Sequence, residues 1–212
     1  MILDTKTDKV NYVWYASYGS NLSRERFLCY IEGGQPKGSA DVEIGCSDNS
    51  LPIKEATHIM QHPLYFAKAS ARWQNQGVAF IGLKKEEKHH TYSRKYLITE
   101  EQFKDVVKQE NGVAIDMDLD DIKQRGLRTL KDTWYGTLLY VGEEDGYPIF
   151  TFTADFDSDV PVTKPSKQYL GMIINGLRNT LKLDRTEVVN YLSTKPGVAD
   201  NYSREDIEEL MG

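Results

Sequence analysis

The chain has little of what marks secreted or membrane-spanning proteins. It contains only two cysteines, Cys29 and Cys46, in 212 residues, which excludes a disulfide-rich scaffold, and their spacing is not that of a zinc site. We interpret both as structural thiols. No apolar run approaches the length that spans a bilayer, and residues 1–9 hold no uninterrupted apolar stretch able to serve as a signal sequence. We therefore expect a cytoplasmic protein with no membrane partner.

Positive charge is also scarce. The chain has 26 Lys and Arg against 32 Asp and Glu, a net charge of -6. Because nucleic-acid binding depends on clustered cations that neutralise phosphates, this balance disfavours a nucleic-acid partner. Apolar content of 40% and charged content of 27% are typical of a globular protein. The composition predicts one domain, residues 1–212, that acts on a small polar substrate and is compatible with a homodimer.

Cofactor and metal motifs are absent as well. The sequence contains neither G-x-G-x-x-G after a strand nor G-x-x-x-x-G-K-[ST]. The acidic run at 116–121 begins like a calcium loop, but Asp121 stands where glycine is required and Leu127 where the last glutamate is required. His58 and His62 lack the glutamate of the zinc-protease motif. We expect no cofactor and no metal, a solvated acidic insertion, and surface or turn histidines.

What is present is a strand, a tight loop and a helix start in direct succession. An apolar strand is predicted at 13–16, and the residues after it, Tyr18, Gly19, Ser20, Asn21 and Leu22, spell YGSNL. Gly19 permits a sharp turn, Ser20 and Asn21 suit that turn, and Ser23 suits the N-cap of the helix that follows. Such a loop presents backbone N–H groups beside the positive end of a helix dipole, so it is a candidate site for a carboxylate or an oxyanion. Ser20 lacks the G-x-S-x-G context of a nucleophile and is interpreted as a turn serine that donates a hydrogen bond.

A second candidate is Glu110. Thr99 and Gln102 have the spacing of a capping box, and the helix that they begin is predicted to end at Asn111 and Gly112. A carboxylate in the last turn meets the negative end of the helix dipole, which costs roughly 0.3–1 kcal/mol. The position of Glu110 is therefore unfavourable for local stability, which raises its claim to a function.

The rest of the chain predicts a mixed α+β protein. Helices are expected at 23–32, from 165 to about 181, at 186–192 and at 203–210, with a helical turn near 53–60. Strands are expected at 42–44, 64–67, 77–83, 92–98, 134–141 and 147–153, the last two joined by a turn at 143–146.

The YGSNL sequence resembles the signature of the γ-glutamylcyclotransferase-like superfamily. Three weaker landmarks follow in the family's order: the strand that begins at Gly77, the glutamate at 110 after a short helix, and a helix start at Pro165 and Ser166 that continues to Tyr169. The resemblance implies an α+β fold with a small mixed-sheet β-barrel flanked by helices. It also implies insertions near 35–63 and 114–131 and a C-terminal helical extension.

The same resemblance implies a chemistry. In a γ-glutamyl amide, the α-amine attacks the γ-carbonyl, releasing an amine or amino acid and forming 5-oxoproline without water or metal. By resemblance, Glu110 is the catalytic general acid and base, and residues 18–22 hold the oxyanion or the glutamyl carboxylate. Tyr18 and Tyr169 are candidate substrate-binding residues, and for each a role in the core is equally open.

Two alternatives remain open from the sequence. The fold could be a non-catalytic module that binds a small anion or a partner, or it could hydrolyse or transfer a larger γ-glutamylated group. The chain has Asn111 where the family commonly has glycine, and Glu100 and Glu101 lie on the same predicted helix as Glu110.

Overall fold

The computed structural model describes residues 10–36, 41–156 and 160–212. The expectation about a signal sequence at 1–9 therefore lies outside the described residues. The described chain is a mixed α+β structure of eight strands and six helices. The strands are β1 Tyr12–Ser17, β2 Lys54–Met60, β3 Leu64–Ser70, β4 Gln76–Ile81, β5 Thr91–Thr99, β6 Leu127–Thr129, β7 Thr137–Glu144 and β8 Tyr147–Thr153. The helices are α1 Arg24–Glu32, α2 Glu100–Asn111, α3 Leu119–Arg125, α4 Lys167–Asn179, α5 Arg185–Leu192 and α6 Arg204–Glu209.

Six strands form one mixed sheet in the order β2-β5-β1-β8-β7-β6. The β1–β8 pair is parallel and the other pairs are antiparallel. Strands β3 and β4, predicted to share a sheet, pair with each other as a separate hairpin. The hairpin contacts the end of β8 through Thr153, whose hydroxyl donates to the carbonyl of Ile81 at 3.0 Å. The predicted α+β architecture with a mixed sheet is confirmed.

Both faces of the sheet are buried, as β1 shows. Because successive side chains of a strand point to opposite faces, Trp14 packs into a core cluster with the hairpin and helices α4–α6. Its neighbour Tyr15 packs into a second cluster with helices α1–α3. The sheet therefore joins two helical layers, and β1 and its following loop lie at the centre of the molecule.

Local signals account for most helix ends. Thr99 and Gln102 form the predicted capping box at the start of α2, and Gly112, with φ of 67°, ends that helix. Ser23 caps α1, and Ser166 accepts a hydrogen bond from the amide of Tyr169 at the start of α4. In the β7–β8 hairpin, Asp145 and Gly146 both have positive φ, as a two-residue Asp-Gly turn requires.

Several sequence predictions need correction. The predicted helical turn near 53–60 is wrong, because these residues form strand β2, paired with β5 along its length. The strand predicted at 42–44 is reduced to a single bridge between Gly34 and Glu43. The strand predicted at 134–141 begins only at Thr137, so Trp134 and Tyr135 belong to the preceding loop.

The segment 114–131 is more than a solvated acidic insertion. Asp118, the candidate calcium ligand, caps α3 by accepting hydrogen bonds from the amides of Asp120 and Asp121. Leu119 and Ile122 of α3 are buried in the core, and β6 adds an edge strand beside β7. The acidic residues face solvent on one side of a helix whose other side is apolar.

Candidate active site

The candidate site is a cavity of about 200 Å³. Its walls come from the loop after β1, the end of α2, the turn after β3, and the loop that precedes β7. The predicted residues Tyr18, Gly19, Ser20, Asn21, Glu110 and Tyr169 all line this cavity. The sequence therefore identified residues from three distant segments that the fold brings to one place.

The YGSNL loop forms a short 3₁₀ turn over Ser20–Leu22. It is held from outside by Tyr96 of β5, whose hydroxyl donates to the carbonyl of Asn21 at 2.8 Å. At Gly19, a Cβ atom would lie 3.0 Å from the hydroxyl of Tyr169. A side chain at this position would require the Tyr169 hydroxyl to move by a few tenths of an ångström, so the close approach of the tyrosine favours glycine.

Leu22 lies outside the cavity lining and is buried in the core at 1% exposure. It packs against Gly176 of α4, where a Cβ atom would lie only 2.4 Å from the Cβ of Leu22. Its carbonyl accepts a hydrogen bond from the Thr180 hydroxyl at 3.3 Å. Leu22 thus anchors the loop to α4 and has no direct contact with the cavity.

Glu110 lies in the last turn of α2, as predicted, and Asn21 links it to the loop. The side-chain amide of Asn21 donates to Oε1 of Glu110 at 3.1 Å and to the hydroxyl of Tyr15 at 3.4 Å. Burial raises the pKa of Glu110, while the charge of Arg26 and a hydrogen bond with Tyr30 partly offset that rise. The carboxyl group is therefore easier to protonate than an exposed glutamate.

The alternative acids, Glu100 and Glu101, lie in the first turn of α2 and pair with Lys104. Ten residues of helix separate Glu100 from Glu110, which corresponds to about 15 Å along the axis. Neither of the two lines the cavity.

Two tyrosines occupy different positions in the cavity wall. The hydroxyl oxygen of Tyr169 accepts hydrogen bonds from the amides of Ala79, at 3.1 Å, and Ser20. Burial raises its pKa to about 12, so it remains protonated at neutral pH and its own proton is available to a ligand. The Tyr18 hydroxyl donates to the carbonyl of Phe152 at 2.8 Å, so its proton is engaged within the protein and is not free for a ligand.

Ser20 is a hydrogen-bonding residue of the turn. Its hydroxyl oxygen accepts from Nε of Arg26 at 2.9 Å, and the donor role predicted from the sequence stays a prediction, because a hydroxyl that accepts one hydrogen bond can also donate one. No histidine lines the cavity formed by the described residues.

Sequence reasoning missed a cluster of four residues in and around this wall. Arg26 and Tyr30 come from α1, and Arg72 comes from the 3₁₀ turn Ala71–Trp73 after β3. Glu43, from the segment 35–63 that was predicted to be an insertion, accepts hydrogen bonds from both arginines. Arg26 and Tyr30 share one helix, but Glu43 and Arg72 come from other parts of the chain, and the only local signal near the cluster was the YGSNL loop that precedes α1.

Trp134 and Tyr135 were also missed as cavity residues, because their sequence context favoured a strand. Asn111 holds the loop that carries them: its side-chain amide donates to the carbonyl of Tyr135 at 3.1 Å. Its Oδ1 accepts from the hydroxyl of Thr133 at 2.5 Å. Asn111, the residue that departs from the family pattern, thus joins the end of α2 to the loop that carries Trp134 and Tyr135.

The remaining sequence candidates lie elsewhere. Cys29 and Cys46 are free thiols. His62 lies in a turn, and its Nδ1 is 2.8 Å from the carbonyl oxygen of Gly82, while His58 lies on β2. Within residues 10–36, 41–156 and 160–212, no group of three or more His, Cys, Asp or Glu side chains could hold a metal ion. None of the helices in the same ranges has the length and apolar character to cross a membrane.

Comparison with sequences of known proteins gives one informative match. No protein-family model matches the chain. The chain is similar to histone deacetylase 5 of Arabidopsis thaliana, with 35% identity over 198 residues, covering 85% of this chain and 30% of the relative. The chain therefore spans about 30% of the length of that relative.

Two solved structures are similar to this chain over nearly its whole length. A γ-glutamyl cyclotransferase has a TM-score of 0.53 and 15% identity, covering 95% of this chain and 98% of that protein. The crystal structure of an uncharacterized human protein has a TM-score of 0.52 and 16% identity, covering 94% of this chain and 99% of the human one. The fold implied by the YGSNL resemblance is thereby confirmed, because the chain is similar over nearly its whole length to the fold of a γ-glutamyl cyclotransferase.

Proposed function

We propose that the protein cyclises a γ-glutamyl amine or a γ-glutamyl amino acid to 5-oxoproline and releases the amine, with Glu110 as general acid and base. The observation that carries the proposal is the Asn21–Glu110 hydrogen bond of 3.1 Å. It joins the predicted oxyanion loop to a half-buried carboxyl group within one cavity. The fold shared with γ-glutamyl cyclotransferase supports the same reaction class.

In the proposed reaction, the α-nitrogen of the substrate attacks the γ-carbonyl carbon, and the bond from that carbon to the departing nitrogen breaks. The attacking nitrogen, an ammonium at the outset, loses two protons as it becomes the ring amide. The departing nitrogen gains two as it becomes an ammonium. Glu110 accepts each proton and passes it on, so neither water nor an external acid is consumed.

The surrounding residues have distinct parts in this proposal. Tyr169 donates its hydroxyl proton to the developing oxyanion, because both hydrogen bonds that it accepts come from backbone amides. Asn21 orients the carboxyl group of Glu110. The loop with Trp134 and Tyr135 closes part of the cavity, and folding the substrate inside it brings the two reacting ends together.

The test is release of 5-oxoproline from a panel of γ-glutamyl donors. We expect the wild type to release it and Glu110→Gln to be slower by about 10²–10⁴-fold, the usual contribution of a general acid or base. Glu101→Gln is the matched control, because its side chain lies on the same helix and is 76% exposed. Equal rates for wild type and Glu110→Gln would disprove the role of Glu110.

The panel also separates the proposal from the two alternatives. In water enriched in oxygen-18, cyclisation incorporates no label, whereas hydrolysis places the label in the glutamate released. Binding of the donors without any turnover would favour a non-catalytic module on the same fold.

A further inference from the structure

Two guanidinium groups form part of the cavity wall. Arg26 of α1 is only 3% exposed, and the side chain of Arg72 is 29% exposed. Both line the cavity that contains Glu110. Arginines are rarely placed so deeply without an anionic partner, because taking a charge out of water is costly.

Within the protein, the two arginines share one buried carboxylate. Oε1 of Glu43 lies 3.4 Å from Nη2 of Arg26 and 2.9 Å from Nη1 of Arg72. Asp41 also pairs with Arg72, at 2.6 Å, but its side chain is 51% exposed and the interaction is screened by solvent. With the solvent-screened Asp41 set aside, Arg26, Arg72 and Glu43 together have one more positive charge than negative charge before Glu110 is considered.

The orientation of Arg26 is fixed by three neighbours. Its Nε donates to the Ser20 hydroxyl at 2.9 Å, and its Nη2 donates to the Tyr30 hydroxyl at 3.3 Å as well as to Glu43. Its Nη1 is buried and has no hydrogen-bond partner among the described residues. A donor left unpaired in this way is destabilising unless a bound molecule supplies the acceptor.

A second unpaired atom belongs to the same cavity. Oδ1 of Asn21 is buried and lacks a partner among the residues that the structure describes, while the amide nitrogen of this side chain donates to Glu110. The site thus offers one free acceptor beside the proposed base and one free cationic donor. An α-amino acid group has the complementary pair, an ammonium donor and a carboxylate acceptor on one carbon.

We propose that Arg26 is a specificity-determining residue that binds a carboxylate of the γ-glutamyl donor, with Arg72 adding the second positive charge. This inference deepens the proposed function, on which it depends for the identity of the donor. Two carboxylates are available in a γ-glutamyl amino acid: the α-carboxylate of the glutamyl half and the carboxylate of the departing amino acid. Both present the same chemistry to a guanidinium group.

The charge balance of the reaction supports this assignment. When Glu110 takes a proton from the attacking amine, its negative charge disappears, and Arg26, Arg72 and Glu43 together keep one positive charge that only the half-exposed Asp41 opposes. A carboxylate on the substrate supplies the missing negative charge throughout the reaction. A donor whose carboxylate is replaced by a neutral amide should therefore be recognised poorly.

The first experiment measures binding, which requires no turnover. Trp73 and Trp134 line the cavity, so tryptophan fluorescence can report titrations with 5-oxoproline, with its carboxamide and with glutarate. We expect the wild type to prefer the carboxylates, and Arg26→Met to lose about 10–100-fold in affinity for them, as expected for a charge-assisted hydrogen bond. Arg125→Met is the control, since its side chain is 65% exposed and lies outside this cavity.

The second experiment locates the carboxylate by turnover. The donors are γ-glutamylalanine, γ-glutamylethylamide, and γ-glutamylalanine whose glutamyl α-carboxylate is a carboxamide. If the wild-type KM, relative to that for γ-glutamylalanine, rises only for the carboxamide donor, Arg26 is assigned to the α-carboxylate of the glutamyl half. If it rises only for the ethylamide, Arg26 is assigned to the carboxylate of the departing amino acid. Arg26→Met should remove that discrimination, and Arg26→Lys, which keeps the charge, should restore part of it.

The outcomes separate this inference from the proposed function. Carboxylate-selective binding that depends on Arg26, without formation of 5-oxoproline, would support the carboxylate site and contradict the cyclisation. Equal treatment of carboxylate and carboxamide by the wild type in binding and in turnover would overturn the inference. If Arg26→Met does not fold, the more exposed Arg72→Met makes the same test, with loss of carboxylate preference expected.

Discussion

Two effects act on the charge of Glu110 in opposite directions. Burial disfavours the ionised carboxylate, whereas Arg26 favours it, and the net result is a raised pKa. Its hydrogen bond to Asn21 couples this carboxyl group to the YGSNL loop. A proton-transfer group at neutral pH needs such an intermediate position, since it must accept a proton and give it up in one cycle.

The raised pKa predicts how stability depends on pH. An acid with a higher pKa in the folded state binds more protons when folded, so the free energy of unfolding decreases as pH rises from the unfolded value, about 4.3 for glutamate, through the folded one. Glu110→Gln removes this decrease in the free energy of unfolding, because a glutamine side chain does not ionise. We expect its melting temperature at pH 7 to exceed that of the wild type, and the difference to vanish below about pH 4.

Thermal denaturation between pH 4 and pH 8 measures this effect, with Glu101→Gln as the control. The acid limb of kcat/KM should also lie above the ordinary glutamate pKa, because cyclisation requires the ionised carboxylate. A wild type more stable than Glu110→Gln at pH 7, by a margin that grows with pH, would show that Arg26 lowers the pKa of Glu110 instead.

At the scale of elements, the close contact of α4 with the loop after β1 depends on one glycine. Gly176 lies within α4, where a Cβ would meet Leu22 Cβ at 2.4 Å and Leu22 backbone carbon at 2.8 Å. Glycine inside a helix is unfavourable by about 1 kcal/mol relative to alanine. Its presence there is explained by the approach of the loop, which a side chain would displace.

Gly176→Ala should therefore destabilise the protein despite its better helix propensity. Overpacking typically costs about 1–3 kcal/mol, and displacement of Leu22 should also reduce kcat through the Ser20–Asn21 turn. Gly171→Ala on the same helix is the matched control, because nothing lies within 4 Å of its Cβ position. We expect this control to gain up to about 1 kcal/mol.

Urea denaturation of both variants measures the two effects. If Gly176→Ala were as stable as Gly171→Ala, with unchanged turnover, the loop would not depend on this contact.

Some elements could be predicted from local sequence patterns alone. The capping box at Thr99, the glycine stop at Gly112 and the Asp145-Gly146 turn are local signals, and each appears in the structure. Strand β2 was predicted as a helical turn because its own residues do not favour a strand. Its conformation is decided by pairing with β5, which no local signal in 53–60 reveals.

For the whole molecule, the central sheet links both core clusters, since Trp14 and Tyr15 are neighbours on β1 that pack on opposite sides. Because both helical layers pack on this one sheet, we expect the two layers to unfold together in one transition. The single domain at 1–212 remains a prediction.

We expect far-UV circular dichroism and tryptophan fluorescence to give coincident urea transitions with one midpoint. Trp14 and Trp73 report on the cluster that contains α4–α6, whereas circular dichroism reports on all helices. Two transitions with separate midpoints would show that α1–α3 and α4–α6 are independent units.

The sequence by itself determined the elements that carry strong local signals, and it predicted the two parts of the candidate site, the YGSNL loop and Glu110, that line one cavity. Caps, turn glycines and apolar periodicity act within a few residues, so they can be read without a structure. The tertiary structure alone decided that Arg26, Glu43 and Arg72 meet in the wall of the cavity. Burial, shared hydrogen bonds and unpaired donors arise from long-range contacts, and these depend on how the sheet and its helices pack.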